Sequence, residues 1–106
     1  MRRGDVWWAD LPAPVGKRPV LLLSRDKAIQ VRDHVTVAQI TTTIRNIPVE
    51  VPLGTKEGLP KKCVANLDVI NTIPKQFLRE RITSLSPEKI AETKGAVSFA
   101  FGMKSS

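Results

Sequence analysis

Cysteine and histidine are almost missing from this sequence: Cys63 and His34 are the single examples in 106 residues. One cysteine excludes an internal disulfide and the cysteine-rich zinc sites. One histidine excludes any mechanism that needs two in the same chain. Tyrosine is absent and aromatic residues make up 5% of the chain, so any stacking surface rests on two tryptophans and three phenylalanines. Acids are scarce beside bases, 10 Asp and Glu against 17 Lys and Arg, for a net charge of +7. That imbalance favours a polyanionic partner, whether nucleic acid, an acidic protein or a membrane surface. No run approaches the roughly 20 apolar residues of a membrane span. Val6–Ala9, between Asp5 and Asp10, is too short for a signal-peptide core, so the expected compartment is the cytoplasm. Glycine-rich nucleotide loops are lacking, and no His or Cys pair has ligand spacing; neither metal nor cofactor is expected.

What is present reads as a small β domain. Asp5 to Asp10 predicts a first strand, and Leu11–Gly16, with two prolines and a glycine, a loop. Pro19–Ser24 is a continuous apolar run and predicts a strand buried on both faces. Asp26–Arg32 allows one helical turn. His34–Thr43 is rich in β-branched residues and predicts a third strand. Ile47–Leu53 carries Pro48 and Pro52, as edge strands do. Gly54–Lys62 reads as an exposed loop, Cys63–Thr72 as a further strand, and Glu80–Leu85 as a shorter one. The last element is helical: Ser86 supplies an N-cap, Pro87 the first helical position and Glu88 a first-turn acid. Ile90, Ala91, Val97 and Phe101 are expected on its buried face, with Gly102 as the stop. Five or six strands before one C-terminal helix fit a mainly β fold, a small bent barrel with the helix packed on it.

Two clusters stand out chemically. In Gly16-Lys17-Arg18-Pro19, two cations sit at the mouth of a buried strand, where an arginine fork can meet a phosphate; a solvated charged turn is the competing reading. In Ile40-Thr41-Thr42-Thr43-Ile44-Arg45, alternation puts Thr41 and Thr43 on one face and Thr42 on the other. A hydroxyl there can donate to a phosphate oxygen, or simply serve β propensity on a wet edge. Trp7 and Trp8 point to opposite faces, one to the core and one free to stack on a base; the sequence leaves open which. Phe77, Phe99 and Phe101 are read as core or subunit-contact residues. His34, directly after Asp33, reads as a turn histidine.

Arg3-Gly4-Asp5-Val6-Trp7-Trp8-Ala9-Asp10-Leu11 followed by Lys17-Arg18-Pro19-Val20-Leu21-Leu22-Leu23-Ser24 resembles the opening of MazF/PemK-type toxins of bacterial toxin–antitoxin pairs. Ala38–Thr43, Pro48–Val51, Cys63–Ile70 and Leu85–Ile90 resemble the segments that follow, in order, over nearly the whole chain. The resemblance implies an SH3-like β-barrel with a C-terminal helix over residues 1–103, a tail at 104–106, and a homodimer. It implies a sequence-specific, metal-independent endoribonuclease that cuts single-stranded RNA at short sequences to leave 2′,3′-cyclic phosphate and 5′-hydroxyl ends. The family's essential arginine falls on Arg18 and its essential threonine on Thr41. RNA-binding candidates are Trp8, Lys17, Ser24, Arg25, Thr42, Thr43, Arg45, Lys61, Lys62 and Asn66. The implied partner is an antitoxin of the MazE kind with an acidic C-terminal tail; no membrane is involved. The loop from Pro12 to Lys17 is shorter than in many members, Val69 stands where some carry a base-contacting glutamine, and Cys63 where some carry serine. The alternatives are a gyrase poison of the CcdB type, which relies on a C-terminal tryptophan that the end Phe101–Ser106 lacks, and an inactive RNA-binding homologue.

Overall fold

In the computed structural model, which describes residues 1–103, the chain runs β1 (Asp5–Asp10), β2 (Lys17–Leu22), α1 (Asp26–Val31), β3 (His34–Thr41), β4 (Glu50–Leu53), β5 (Cys63–Pro74), β6 (Leu78–Ser84) and α2 (Pro87–Ala100). The expected tail at 104–106 lies outside the described residues. All six strands join one antiparallel sheet in the order β4-β5-β3-β2-β1-β6. The sheet curls into a half-barrel, as the resemblance implied.

Irregular pairing supplies the curl. Along β3, Ala38 pairs with Ile70, but the next residue, Gln39, pairs with Asn66. Leu67, Asp68 and Val69 are thus extra residues on β5. Such an insertion bends a strand and raises its local twist. The Asn66 side-chain carbonyl accepts the Asp68 amide at 2.9 Å, and the Leu67 amide donates to Val49 O at 2.9 Å, which holds the bulge. Two more register shifts interrupt the β1–β6 pairing.

The sheet has a core on each face, which is why β2 reads as an unbroken apolar run. Val20, Leu21 and Leu22 are all fully buried. Leu21 joins Val6, Ile40, Val51, Ala65 and Leu67 inside the curl. Val20 and Leu22 join Ala9, Ile29, Val35, Val37 and Ile73 on the outer face, with Trp7 and Phe77 packed beside them. The helix α2 closes the inner core. Ser86 Oγ accepts the Lys89 amide at 3.2 Å, as an N-cap should. The buried face of α2 differs from the expected one. Ile90, Thr93, Ala96, Val97 and Ala100 turn inward, whereas Ala91 is exposed and Phe101 is 60% exposed. Ala91 lies about 100° around the helix from Ile90, and Phe101 is the C-cap, beyond the last helical residue. Gly4 has φ of 89° and its Cα faces Ile90 of α2 so closely that a Cβ would collide. The positive φ is what favours glycine there; the Ile90 side-chain tip could shift to admit a Cβ.

Candidate active site

The inner end of the β2–β3 pair opens into a cleft of about 280 Å³. The β2–β3 register pairs Val20 with Gln39. Continued by two residues, it sets Arg18 across from Thr41, and both line the cleft. Lys17 and Pro19 from β2, Ile40 and Thr42 from β3, and Trp8 from β1 complete that side. Leu59, Pro60, Lys61 and Cys63 form the other. Three cations line the cleft and no carboxylate does.

Arg18 holds an unusual position. Its Nε is buried and has no hydrogen-bond partner, the only such side-chain atom among the described residues. Leaving a buried donor unsatisfied costs about 1–3 kcal/mol. Neither ion pair among the described residues, Arg79–Asp10 at 3.4 Å or Lys89–Glu92 at 3.0 Å, involves Arg18. A partly desolvated guanidinium with no acid beside it is poised for an external oxyanion.

Thr41 ends β3, and its Oγ1 accepts the Thr43 amide at 3.1 Å. The hydroxyl is therefore oriented with its own proton left to donate. Strand alternation stops at Thr41, so the expected pairing of Thr41 with Thr43 on one face does not hold: Thr41 and Thr42 line the cleft and Thr43 does not. The following loop is held from below by buried Glu50. Its carboxylate accepts the Arg45 amide at 3.0 and 3.2 Å and the Asn46 amide at 2.9 Å. Asn46 adopts φ of 56° to let this happen.

The two tryptophans separate as alternation requires. Trp8 lines the cleft, with Lys17 Nζ 5.0 Å from its ring centroid, within cation–π range. Trp7 packs on the outer core, and its indole N–H donates to buried Asp5 at 3.3 Å. Burial pushes the Cys63 thiol above the usual range, and the Glu57 charge adds to it.

The structure therefore gathers Trp8, Lys17, Arg18, Thr41, Thr42 and Lys61. Thr43, Arg45 and Lys62 are exposed nearby but do not line the cleft. Ser24 and Arg25 lie elsewhere, in a depression past the far end of β2. Asn66 is buried and its carbonyl is spent on the β5 bulge, so the structure does not bring it to the cleft. Sequence reasoning missed Leu59 and Glu50. Leu59 is 3% exposed inside a segment expected to be an exposed loop, and its signal was a lone leucine among glycines and lysines. Among the described residues no three His, Cys, Asp or Glu side chains group as a metal site would.

Known proteins share this sequence pattern and fold. The family model described as PemK-like, MazF-like toxin of type II toxin-antitoxin system matches residues 2–101. A probable endoribonuclease MazF2 of Mycobacterium tuberculosis is 42% identical over 93 residues, 87% of this chain and 89% of that protein. The structure of the Mycobacterium tuberculosis toxin MazF-mt6 superposes with a TM-score of 0.87 at 33% identity, covering 95% of this chain and 99% of the other. A mycobacterial endoribonuclease in complex with its cognate antitoxin gives 0.88 at 28% identity, covering 100% and 99%.

Proposed function

The chain belongs to the PemK-like, MazF-like family of type II toxins, and on that premise we propose that it is the toxin of a toxin–antitoxin pair, an endoribonuclease for single-stranded RNA. The observation that carries this reading is the meeting of Arg18 and Thr41 in one basic cleft, with the Arg18 Nε buried and unpartnered.

RNA brings its own nucleophile, the 2′-hydroxyl beside the scissile phosphate. In-line attack forms the 2′-O–P bond and breaks the bond to the 5′-oxygen. The products are a 2′,3′-cyclic phosphate and a 5′-hydroxyl. The protein has to hold that geometry and stabilise the charge that grows on the phosphoryl oxygens. Arg18 suits the charge. Thr41, its hydroxyl oriented by the Thr43 amide, suits donation to a non-bridging oxygen. The cleft lining contains neither imidazole nor carboxylate, so water takes the 2′-hydroxyl proton and returns one to the leaving oxygen. No metal is required by this scheme. Lys17 and Lys61 follow the phosphate backbone, and Trp8 offers a ring on which a base stacks once Lys17 moves to a phosphate.

The same reading includes a homodimer, a cognate antitoxin whose acidic tail covers the basic surface, and action in the cytoplasm by residues 1–103 as one toxin domain. The exposed Phe99 and Phe101 of the α2 end, both 60% exposed, support the dimer. No helix among the described residues is long and apolar enough to cross a membrane.

The test is incubation of purified protein with a long single-stranded RNA in EDTA, with the new ends mapped. Discrete cuts bearing 5′-hydroxyl ends are expected. Arg18→Ala and Thr41→Ala each slow cutting by about 10²–10³, the usual loss of one aligned donor, and Thr41→Ser retains most of the rate. Intact RNA from folded protein defeats the proposal.

A further inference from the structure

A second basic site lies at the opposite end of β2. Arg3, Arg25, Arg32 and His34 line a depression of about 370 Å³. No carboxylate lines it, and none of the three arginines forms an ion pair among the described residues. The nearby acids are Asp26, whose carboxylate accepts the Arg3 amide at 2.7 Å, and Asp33, next to His34 in the chain. Neither forms an ion pair with a guanidinium among the described residues.

The donors in the depression are oriented by the fold. Arg3 Nε donates to Leu23 O at 2.9 Å, which leaves both terminal nitrogens of its fork for another acceptor. Ser24 Oγ accepts the Thr36 amide at 2.8 Å, so its proton is free to be donated. The Thr36 and Thr72 hydroxyls share one hydrogen bond at 2.9 Å, and whichever accepts keeps a proton to give. Several guanidinium forks with hydroxyl donors between them match the several oxygens of a phosphate.

Spacing links this site to the cleft. Arg18 and Ser24 stand six residues apart on and just beyond β2, about 20 Å of extended chain at about 3.3 Å per residue. β2 lies between β1 and β3 in the sheet, so the separation is fixed. We propose that the Arg3–Arg25–Arg32–His34 depression binds a backbone phosphate of the RNA strand that flanks the cut position; this rests on the nuclease reading of the cleft. The strand is then held at two points on one rigid element, and RNA too short to span both is bound at one.

The test uses uncleavable 2′-O-methyl oligouridylates, a trimer and a fifteen-mer, with the full chain and the Arg25→Gln/Arg32→Gln double variant. The double variant binds the fifteen-mer at least about tenfold more weakly, and its salt slope falls by about 0.7 for each phosphate it no longer neutralises. Trimer affinity falls less. An unchanged fifteen-mer affinity and slope in a variant with normal circular dichroism overturns the proposal. A second measurement needs no variant. In amide chemical-shift mapping, the fifteen-mer moves Ser24, Arg25 and Thr36 together with Arg18 and Thr41. Movement at the cleft alone defeats the second site and leaves the nuclease reading intact. Movement at Ser24, Arg25 and Thr36 without the cleft overturns the assignment to the strand that flanks the cut position and leaves the nuclease reading to the cutting assay. Inorganic phosphate that moves the Ser24 group when the fifteen-mer does not identifies a free-phosphate site and overturns the RNA assignment. Polyglutamate that competes as well as the fifteen-mer identifies a carboxylate site and does the same.

Discussion

Cys63 shows how the cleft sets the chemistry of a single residue. It lines the cleft yet is only 4% exposed. Burial raises its thiol above the ordinary value, about 8.5, and the Glu57 charge raises it further. The fold thus favours the protonated thiol. That contribution is complete below the unfolded value and is lost as pH rises through the higher folded value. Unfolding free energies of the native protein from urea titrations should fall more steeply above about pH 8.5 than those of Cys63→Ala, by up to about 1.4 kcal/mol per pH unit. Parallel pH profiles for the two proteins would contradict this. Arg18 and Thr41 belong to the same scale. Each is legible as a residue type in a suggestive place. Their meeting is not, because they are 23 residues apart in sequence and only the β2–β3 register aligns them.

At the scale of elements, the loop after β3 depends on a residue from β4. Glu50 is 9% exposed and accepts the amides of Arg45 and Asn46. Glu50→Gln puts an amide donor where one carboxylate oxygen accepted. It should destabilise the protein by about 1–3 kcal/mol, read as a lower melting temperature. It should also slow RNA cutting, because Thr42 sits on the same loop. Unchanged melting and cutting would show that the loop is held by other means. Elements themselves are readable from local signals. The Ser86-Pro87-Glu88 start of α2 and the unbroken run of β2 each carry their own cause. Strand β3 ends at Thr41, before the expected Thr43, since β-branched residues continue past the point where pairing stops. The bulge at Leu67–Val69 leaves no local mark, because it is a mismatch of lengths between β3 and β5.

For the whole molecule, the consequence concerns association. Phe99, Phe101 and Met103 are 60%, 60% and 62% exposed around the C-terminal end of α2, and exposed apolar surface of this kind marks an interface. Phe101 also borders a groove of about 490 Å³ between α2 and the sheet, walled by Leu21, Leu23, Ile70, Ile90 and Val97. The proposed homodimer covers the Phe99 and Phe101 end of α2. Phe99→Ser with Phe101→Ser should weaken it by at least about a hundredfold in Kd, since burying each phenylalanine is worth about 1.5–3 kcal/mol. Sedimentation equilibrium measures the change, and an unaltered monomer–dimer balance would place the interface elsewhere.

Sequence by itself determined the mainly β class, the C-terminal helix, the basic character and the residue types able to meet a phosphate, because propensity, capping and charge are local properties. Tertiary structure decided which tryptophan faces the cleft, that Ser24 and Arg25 leave it for a second basic site, and that Asn66 serves a bulge. Those outcomes depend on strand register and on where pairing fails, and both are settled between segments far apart in the chain.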